Sequence, residues 1–300
     1  MTPEHILDQP SIRLSQAQRE SYFEKGFLTV EGQVSQAWLE RLQAATDALV
    51  AESRTVPRSN DRYDLAPEHG ADDPRPRRIR AAVDQHPDYW AFASAPEMTD
   101  VVADLVGPDV KFHSSKLNFK WPGGDEEVKW HQDIPAWPHS NYSPVTVGVY
   151  LEDVDTAEGP LTAIPGSHEG ELFDHFGETG KWAGFLADRD LAKVALDSAE
   201  EMRGPAGTLI MINCRTIHSS QRNRSDKVRP LLLNVYSSAD AFIFGRPPTP
   251  TSHTGEIVRG RPAQWSHNDP RPCRIPPDWE QEGYVSIYAA QKQENLKQTG

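Results

Sequence analysis

The chain has little cysteine, no long apolar run and a shortage of basic residues. Its two cysteines, Cys214 and Cys273, stand far apart in 300 residues with no C-x-x-C spacing. A thiolate zinc site is therefore not expected. Cys214 ends the apolar run "GTLIMINC" and is expected to be a buried small hydrophobe. No apolar stretch approaches the ~18 residues that suggest a membrane span. The first residues are acidic and polar and lack the apolar core of a leader peptide. A cytoplasmic enzyme or binding protein, with no membrane partner, is the expectation. Lys and Arg number 31 against 44 Asp and Glu, for a net charge of -13. That balance argues against nucleic acid or anionic lipid as the main partner, because both need a basic surface. The local exception, "RPRRIR" from Arg75 to Arg80, is expected to be a solvated loop.

Local patterns are plentiful. Ser15 caps an expected helix through "QAQRESYFEK" that ends at Gly26, and "FLTV" follows as a short strand. Ser35 caps a second helix with Trp38, Leu39, Leu42 and Leu49 on one stripe. Residues 52–78 are rich in charge and proline and are expected to form a long loop. "PEMTDVVADLVG" has Pro96 near its start and Gly107 at its end, as a helix should. After residue 108 the pattern becomes one of strands. "DVKFHSSKLNFKW" alternates, "PGG" is expected to turn it, and "EVKWHQD" to return. "SPVTVGVYLED", "GPLTAIPGSH", "GTLIMINC" and "RPLLLNVYSSA" follow. Short strands between turns suggest an antiparallel barrel or two-sheet jelly roll, with helices packed outside it. A single domain is expected over residues 1–300: a helical part at 1–107, a jelly-roll core at 108–240 with an insertion at 167–206, and a proline-rich tail at 241–300. The insertion is a lid or a surface excursion.

Histidine and aspartate carry the chemistry. The H-x-D pattern is short enough to arise by chance. One copy, His86-Pro87-Asp88, has the proline of a helix start and is set aside. A second, His131-Gln132-Asp133, sits in "VKWHQD". In a strand, residues two apart share a face, about 6.6 Å along the chain. An imidazole and a carboxylate projecting together suit a divalent transition metal. His168 in "PGSH" and His218 in "NCRTIHSS" are the candidates for a third ligand, and His218 is preferred. Arg229 opens the next apolar strand. If that strand pairs with the one bearing His218, Arg229 lies beside the metal and can hold a carboxylate by charge-assisted contacts.

The segments "WHQD", "GPLTAIPGSH", "GTLIMINCRTIHSS" and "RPLLLNVYSSADA" together resemble the phytanoyl-CoA dioxygenase superfamily of iron(II)/2-oxoglutarate oxygenases. The resemblance covers roughly residues 16–240. "SYFEKGFLTVEG", "VKFHSSKLNFK" and Trp137 are similar to its ectoine hydroxylase branch. The resemblance implies a mainly β protein with flanking α-helices, built on a double-stranded β-helix (a cupin-like jelly roll). It implies His131, Asp133 and His218 as catalytic iron(II) ligands and Arg229, Asn118 and Ser220 as 2-oxoglutarate contacts. Trp137 matches a tryptophan at the substrate pocket, with Ser114 and Leu233 at two further pocket positions. Thr146, Gly148 and Tyr150 alternate along one strand and are expected to line the same pocket, and Lys116 to meet an anionic group of the substrate or solvent. Ile134 to Ala136, Ser114 and Leu233 depart from the ectoine pattern, so ectoine is not the expected substrate. Related halogenases carry a small residue in place of the aspartate; Asp133 is present, which favours oxygenation.

The expected activity is oxidation of an unactivated C–H bond in a small-molecule metabolite, using O2 and 2-oxoglutarate and releasing succinate and CO2, with ascorbate stimulatory. Two rival classes on the same fold are a metal-dependent isomerase or hydrolase that ignores oxygen, and a non-catalytic jelly-roll binding module. Oligomeric state is not legible.

Overall fold

A computed structural model describes residues 1–177, 180–269, 274, 276–283 and 287–291. Twelve strands are present among them: β1 Phe27–Val30, β2 Tyr63–Leu65, β3 Pro76–Arg80, β4 Val110–Lys120, β5 Val128–His131, β6 Val145–Tyr150, β7 Leu161–Ala163, β8 Glu200–Met202, β9 Leu209–Asn213, β10 His218–Ser220, β11 Arg229–Ser238 and β12 Ile257–Arg259. They form two sheets. The larger runs β1-β9-β6-β11-β4-β3-β2, with β12 also paired to β4; the smaller runs β5-β10-β7-β8. All the pairings are antiparallel. This is the expected jelly roll with flanking helices.

The helices form where the local chemistry dictates. Ser15 and Gln18 make a reciprocal capping box at the start of Gln16–Lys25, and Gly26 ends that helix at φ 83°. A side chain at Gly26 would also strike His168 and Thr216. Ser35 caps Gln36–Ser53, which buries Leu39, Leu42 and Leu49. Pro87 opens the helix Pro87–Ala93, and His86 accepts from the Asp88 amide, so this H-x-D copy is a helix cap. Pro96–Val106 buries Val101, Val102 and Val106 against the outer face of the large sheet. Apolar burial on both faces explains the near-continuous hydrophobic runs of β6 and β11.

Five expectations need correction. First, "PGG" does not turn a hairpin: β4 lies in the large sheet and β5 in the small one, so residues 121–127 cross between layers. Second, residues 52–78 are not all loop, and the first 107 residues are not only helical. They supply β1 to one edge of the large sheet and β2 and β3 to the other. Third, "RPRRIR" is not a solvated loop. Its last five residues are β3, where Ile79 packs in the helical core and Arg78 is 2% exposed on the opposite face. A proline at the first strand position removes no needed donor. Fourth, β10 and β11 do not pair. They belong to facing sheets, and Arg229 reaches the His218 region across the sandwich. Fifth, the 167–206 insertion ends in a strand, β8, that closes the small sheet against β7. The tail likewise adds β12 to β4. Cys214 is buried as expected; Cys273 lies outside the described residues.

Candidate metal centre

Residues of both sheets line a cavity of about 100 Å³ between them. His131, Asp133 and His218 sit on its wall, and one ligand atom from each lies within 4.8 Å of the others. His131 ends β5 and stands opposite His218 of β10 in the ladder. Asp133 does not share the pleat with His131 as a strand would require. It has φ -77° and ψ -39° and begins the 3₁₀ turn Ile134–Ala136. The amides of Asp133 and Ile134 both donate to the Cys214 carbonyl, at 3.0 and 2.9 Å. That fork bends the chain and brings the carboxylate beside His131.

The donor set fits ferrous iron. His131 Nδ1 is 2.9 Å from the Lys129 carbonyl and His218 Nδ1 is 2.9 Å from the Thr216 carbonyl. Each carbonyl takes an Nδ1–H and so leaves the Nε2 lone pair for a metal. Burial, then the neighbouring His218, holds His131 well below the usual imidazole range, in the neutral form that ligation needs. Burial alone would raise Asp133. The charge of His218 or His131 when protonated, that of Lys116, and a hydrogen bond from Thr146 Oγ1 (2.9 Å) outweigh it and hold the carboxyl down to about 2. Two imidazoles and one carboxylate with one side open form the facial triad of non-haem iron(II) oxygenases.

A second arrangement fits a dicarboxylate. Arg229 is 2% exposed, lines the cavity, and has no hydrogen-bond partner for its Nε and Nη1. A buried guanidinium with free donors needs an anion. Asn118 and Ser220 line the cavity too. Asn118 Oδ1 accepts from Arg78 Nε at 2.9 Å, which leaves the Asn118 amide nitrogen as a donor.

Ser114, Lys116, Trp137, Thr146 and Leu233 also reach the cavity wall. Gly148 and Tyr150, expected on that wall, do not. A side chain at Gly148 would strike Ile210 and Leu231, which cover it. Tyr150 is turned to the small sheet, where its hydroxyl donates to the Met202 carbonyl and accepts from the Leu161 amide. His168 is held against the Phe23 carbonyl at 2.9 Å, outside the triad. A further H-x-D triplet, His267 to Asp269, lies apart from the triad, with His267 Nδ1 3.2 Å from the terminal amine of Met1.

Several wall residues were not anticipated. Arg78 and Arg80 come from β3, Trp182 from the insertion, and Tyr288 from the tail. In "RRIR" the clue is the alternation of arginine with buried Ile79. Gln132 is the strap beneath the triad. Its amide nitrogen donates to Glu171 and Arg215 carbonyls, its oxygen accepts from Phe173, and its backbone donates to His175 Nε2. Tyr288 has no local signature. It packs against Arg78, with the guanidinium 5.2 Å from the ring centroid.

A jelly roll with a two-histidine, one-carboxylate centre in its mouth defines a non-haem iron(II) oxygenase. The chain belongs to the phytanoyl-CoA dioxygenase (PhyH) family, whose model matches residues 22–231. It is 29% identical over 228 residues to a probable alpha-ketoglutarate-dependent hypophosphite dioxygenase of Stutzerimonas stutzeri, covering 75% of this chain and 79% of the relative. It is 26% identical over 244 residues to the ectoine dioxygenase of Bordetella parapertussis, covering 76% of each. Its fold matches that of EctD from S. alaskensis, solved with 2-oxoglutarate and 5-hydroxyectoine, with a TM-score of 0.70 at 22% identity, over 86% of this chain and 92% of that one. Iron(II), O2 and 2-oxoglutarate are the cofactor and co-substrates of this class.

Proposed function

We propose that the chain couples decarboxylation of 2-oxoglutarate to hydroxylation of an unactivated C–H bond in a small metabolite, releasing succinate and CO2. One observation carries the reading: the His131–Asp133–His218 triad shares a cavity with the buried, unsatisfied guanidinium of Arg229. The relatives are named for substrates as different as hypophosphite and ectoine. What they share is a small molecule, and that much is carried over here.

Ferrous iron held by the triad supplies the activation of O2. The chain's own residues do the rest. His131 and His218 present Nε2 because backbone carbonyls hold their Nδ1 protons. Thr146 fixes one oxygen of Asp133 and turns the other toward the metal position. Arg229 grips the far carboxylate of 2-oxoglutarate, assisted by Asn118 and Ser220. Trp137, Leu233 and Trp182 wall the cavity with apolar surface that keeps water from the reacting atoms. The experiment is a succinate-release screen across small acids, amines and amino acids with iron(II), ascorbate and 2-oxoglutarate. Succinate should appear with the right substrate and stop without oxygen. Conversion that continues without oxygen would contradict the reading and favour an isomerase or hydrolase.

A further inference from the structure

The cavity carries more positive charge than iron(II) and 2-oxoglutarate account for. Four cationic side chains line it, Arg78, Arg80, Lys116 and Arg229, against one carboxylate, Asp133, among the described residues. This runs against the composition of a chain whose net charge is -13. A divalent ion and a 2-oxoglutarate dianion cancel one another, and Asp133 offsets one cation. Of these cations Arg80 and Lys116 are both half-buried, and the charge of neither is met by an ion pair among the described residues.

Two of the four already have roles. Arg229 fits the distal carboxylate, and Arg78 is engaged with Asn118 and the Tyr288 ring. Arg80 and Lys116 differ. They are direct cross-strand partners in the β3–β4 ladder, so they leave the sheet side by side on the cavity face. Like charges at directly opposed positions destabilise a ladder. Among the described residues no carboxylate lies within ion-pair distance of either, although Lys116 acts on Asp133 from further off, and Arg80 Nε is buried without a hydrogen-bond partner. Lys116 is also opposite Leu233 of β11, on the wall that holds Ser114, Val235 and Trp137. The pair is therefore a doubly cationic station at the edge of a largely apolar wall. An anion placed between the two would relieve the repulsion.

We propose that Arg80 and Lys116 form the recognition site for an oxoanion on the substrate, so that the enzyme acts on a small acid bearing a carboxylate or a phosphorus oxoanion. The proposal rests on the dioxygenase reading of the same cavity. The two cations hold the charged end, and the apolar wall receives the body of the molecule.

The test is calorimetric titration, without oxygen, of protein loaded with manganese(II) and 2-oxoglutarate. The probes are propionate, methylphosphonate and hypophosphite, with propionamide and propylamine as neutral and cationic counterparts. At least one anion should bind, and neither counterpart should. Lys116→Met and Arg80→Gln should each weaken that anion at least about tenfold, the size of a lost charged hydrogen bond. Affinity for 2-oxoglutarate should stay unchanged in both. Thermal unfolding gives a second readout: without anion both variants should melt at or above wild type, because each removes one member of a repulsive pair. Three results would overturn the proposal: no anion of the panel binding to wild type, propionamide binding as well as propionate, or both variants keeping full anion affinity. Loss of 2-oxoglutarate affinity in Lys116→Met would also overturn it, by placing Lys116 on the co-substrate. Failure of wild type to bind 2-oxoglutarate at all would instead remove the dioxygenase reading beneath it.

Discussion

His131 and His218 face one another across the β5–β10 ladder with ring centroids 4.1 Å apart. Both rings are buried, and their ligand atoms converge with the Asp133 carboxylate. They become useful together when a cation comes between them and Asp133.

The Thr146 hydroxyl is the test of how the triad is oriented. Thr146→Val keeps the shape and removes the hydrogen bond to Asp133 Oδ2. Outer partners of metal ligands typically matter by about 10- to 100-fold in metal affinity. Iron(II) or manganese(II) affinity should fall within that range while the unfolding midpoint of the metal-free protein changes little. Wild-type metal affinity in the variant would show that the contact does not set the carboxylate.

Arg229→Gln removes the buried charge facing the cavity. A charged hydrogen bond contributes about 1.5–3 kcal/mol, so the 2-oxoglutarate KM should rise roughly 10- to 150-fold. The substrate KM should move far less. An unchanged 2-oxoglutarate KM would count against the assigned role.

Part of the acid sensitivity should come from histidines outside the triad. Burial holds His139 and His175 at about 4 in the fold. The unfolded value is about 6.5, so both imidazoles gain protons on unfolding below that pH. Their stabilisation is complete above pH ~6.5 and is lost as the pH falls toward 4, on the order of 3 kcal/mol each at the end. Urea midpoints of the metal-free protein should fall between pH 7 and 5, less steeply in His175→Gln. A flat wild-type profile would show that neither group is coupled to folding.

Much of this was legible in the residues. Ser15, Gly26, Ser35, Pro87 and Pro96 mark helix ends through local backbone chemistry, which a sequence displays directly. His131, Asp133, His218 and Arg229 were nominated by spacing and by resemblance, and the structure brings them to one cavity although Asp133 lies off the strand and the strands of His218 and Arg229 do not pair. What stayed hidden depends on which strands become neighbours. Nothing local says that β4 and β5 part into different sheets, or that Arg229 meets His218 across a sandwich rather than along a ladder. Gly148 shows the same limit: its strand parity is right, but Ile210 and Leu231 from adjacent strands cover it. Tyr288 reaches the cavity from beyond a proline-rich stretch with no periodicity at all.

The central claim is that His131, Asp133 and His218 hold the iron to which 2-oxoglutarate binds. It is tested most directly by titrating 2-oxoglutarate into iron(II)-loaded protein without oxygen and recording the visible absorption of the complex. The account predicts a saturable band that needs both iron and 2-oxoglutarate, present in wild type and lost in Asp133→Ala and His131→Ala. A band of full intensity in either variant, or none in wild type, would contradict it.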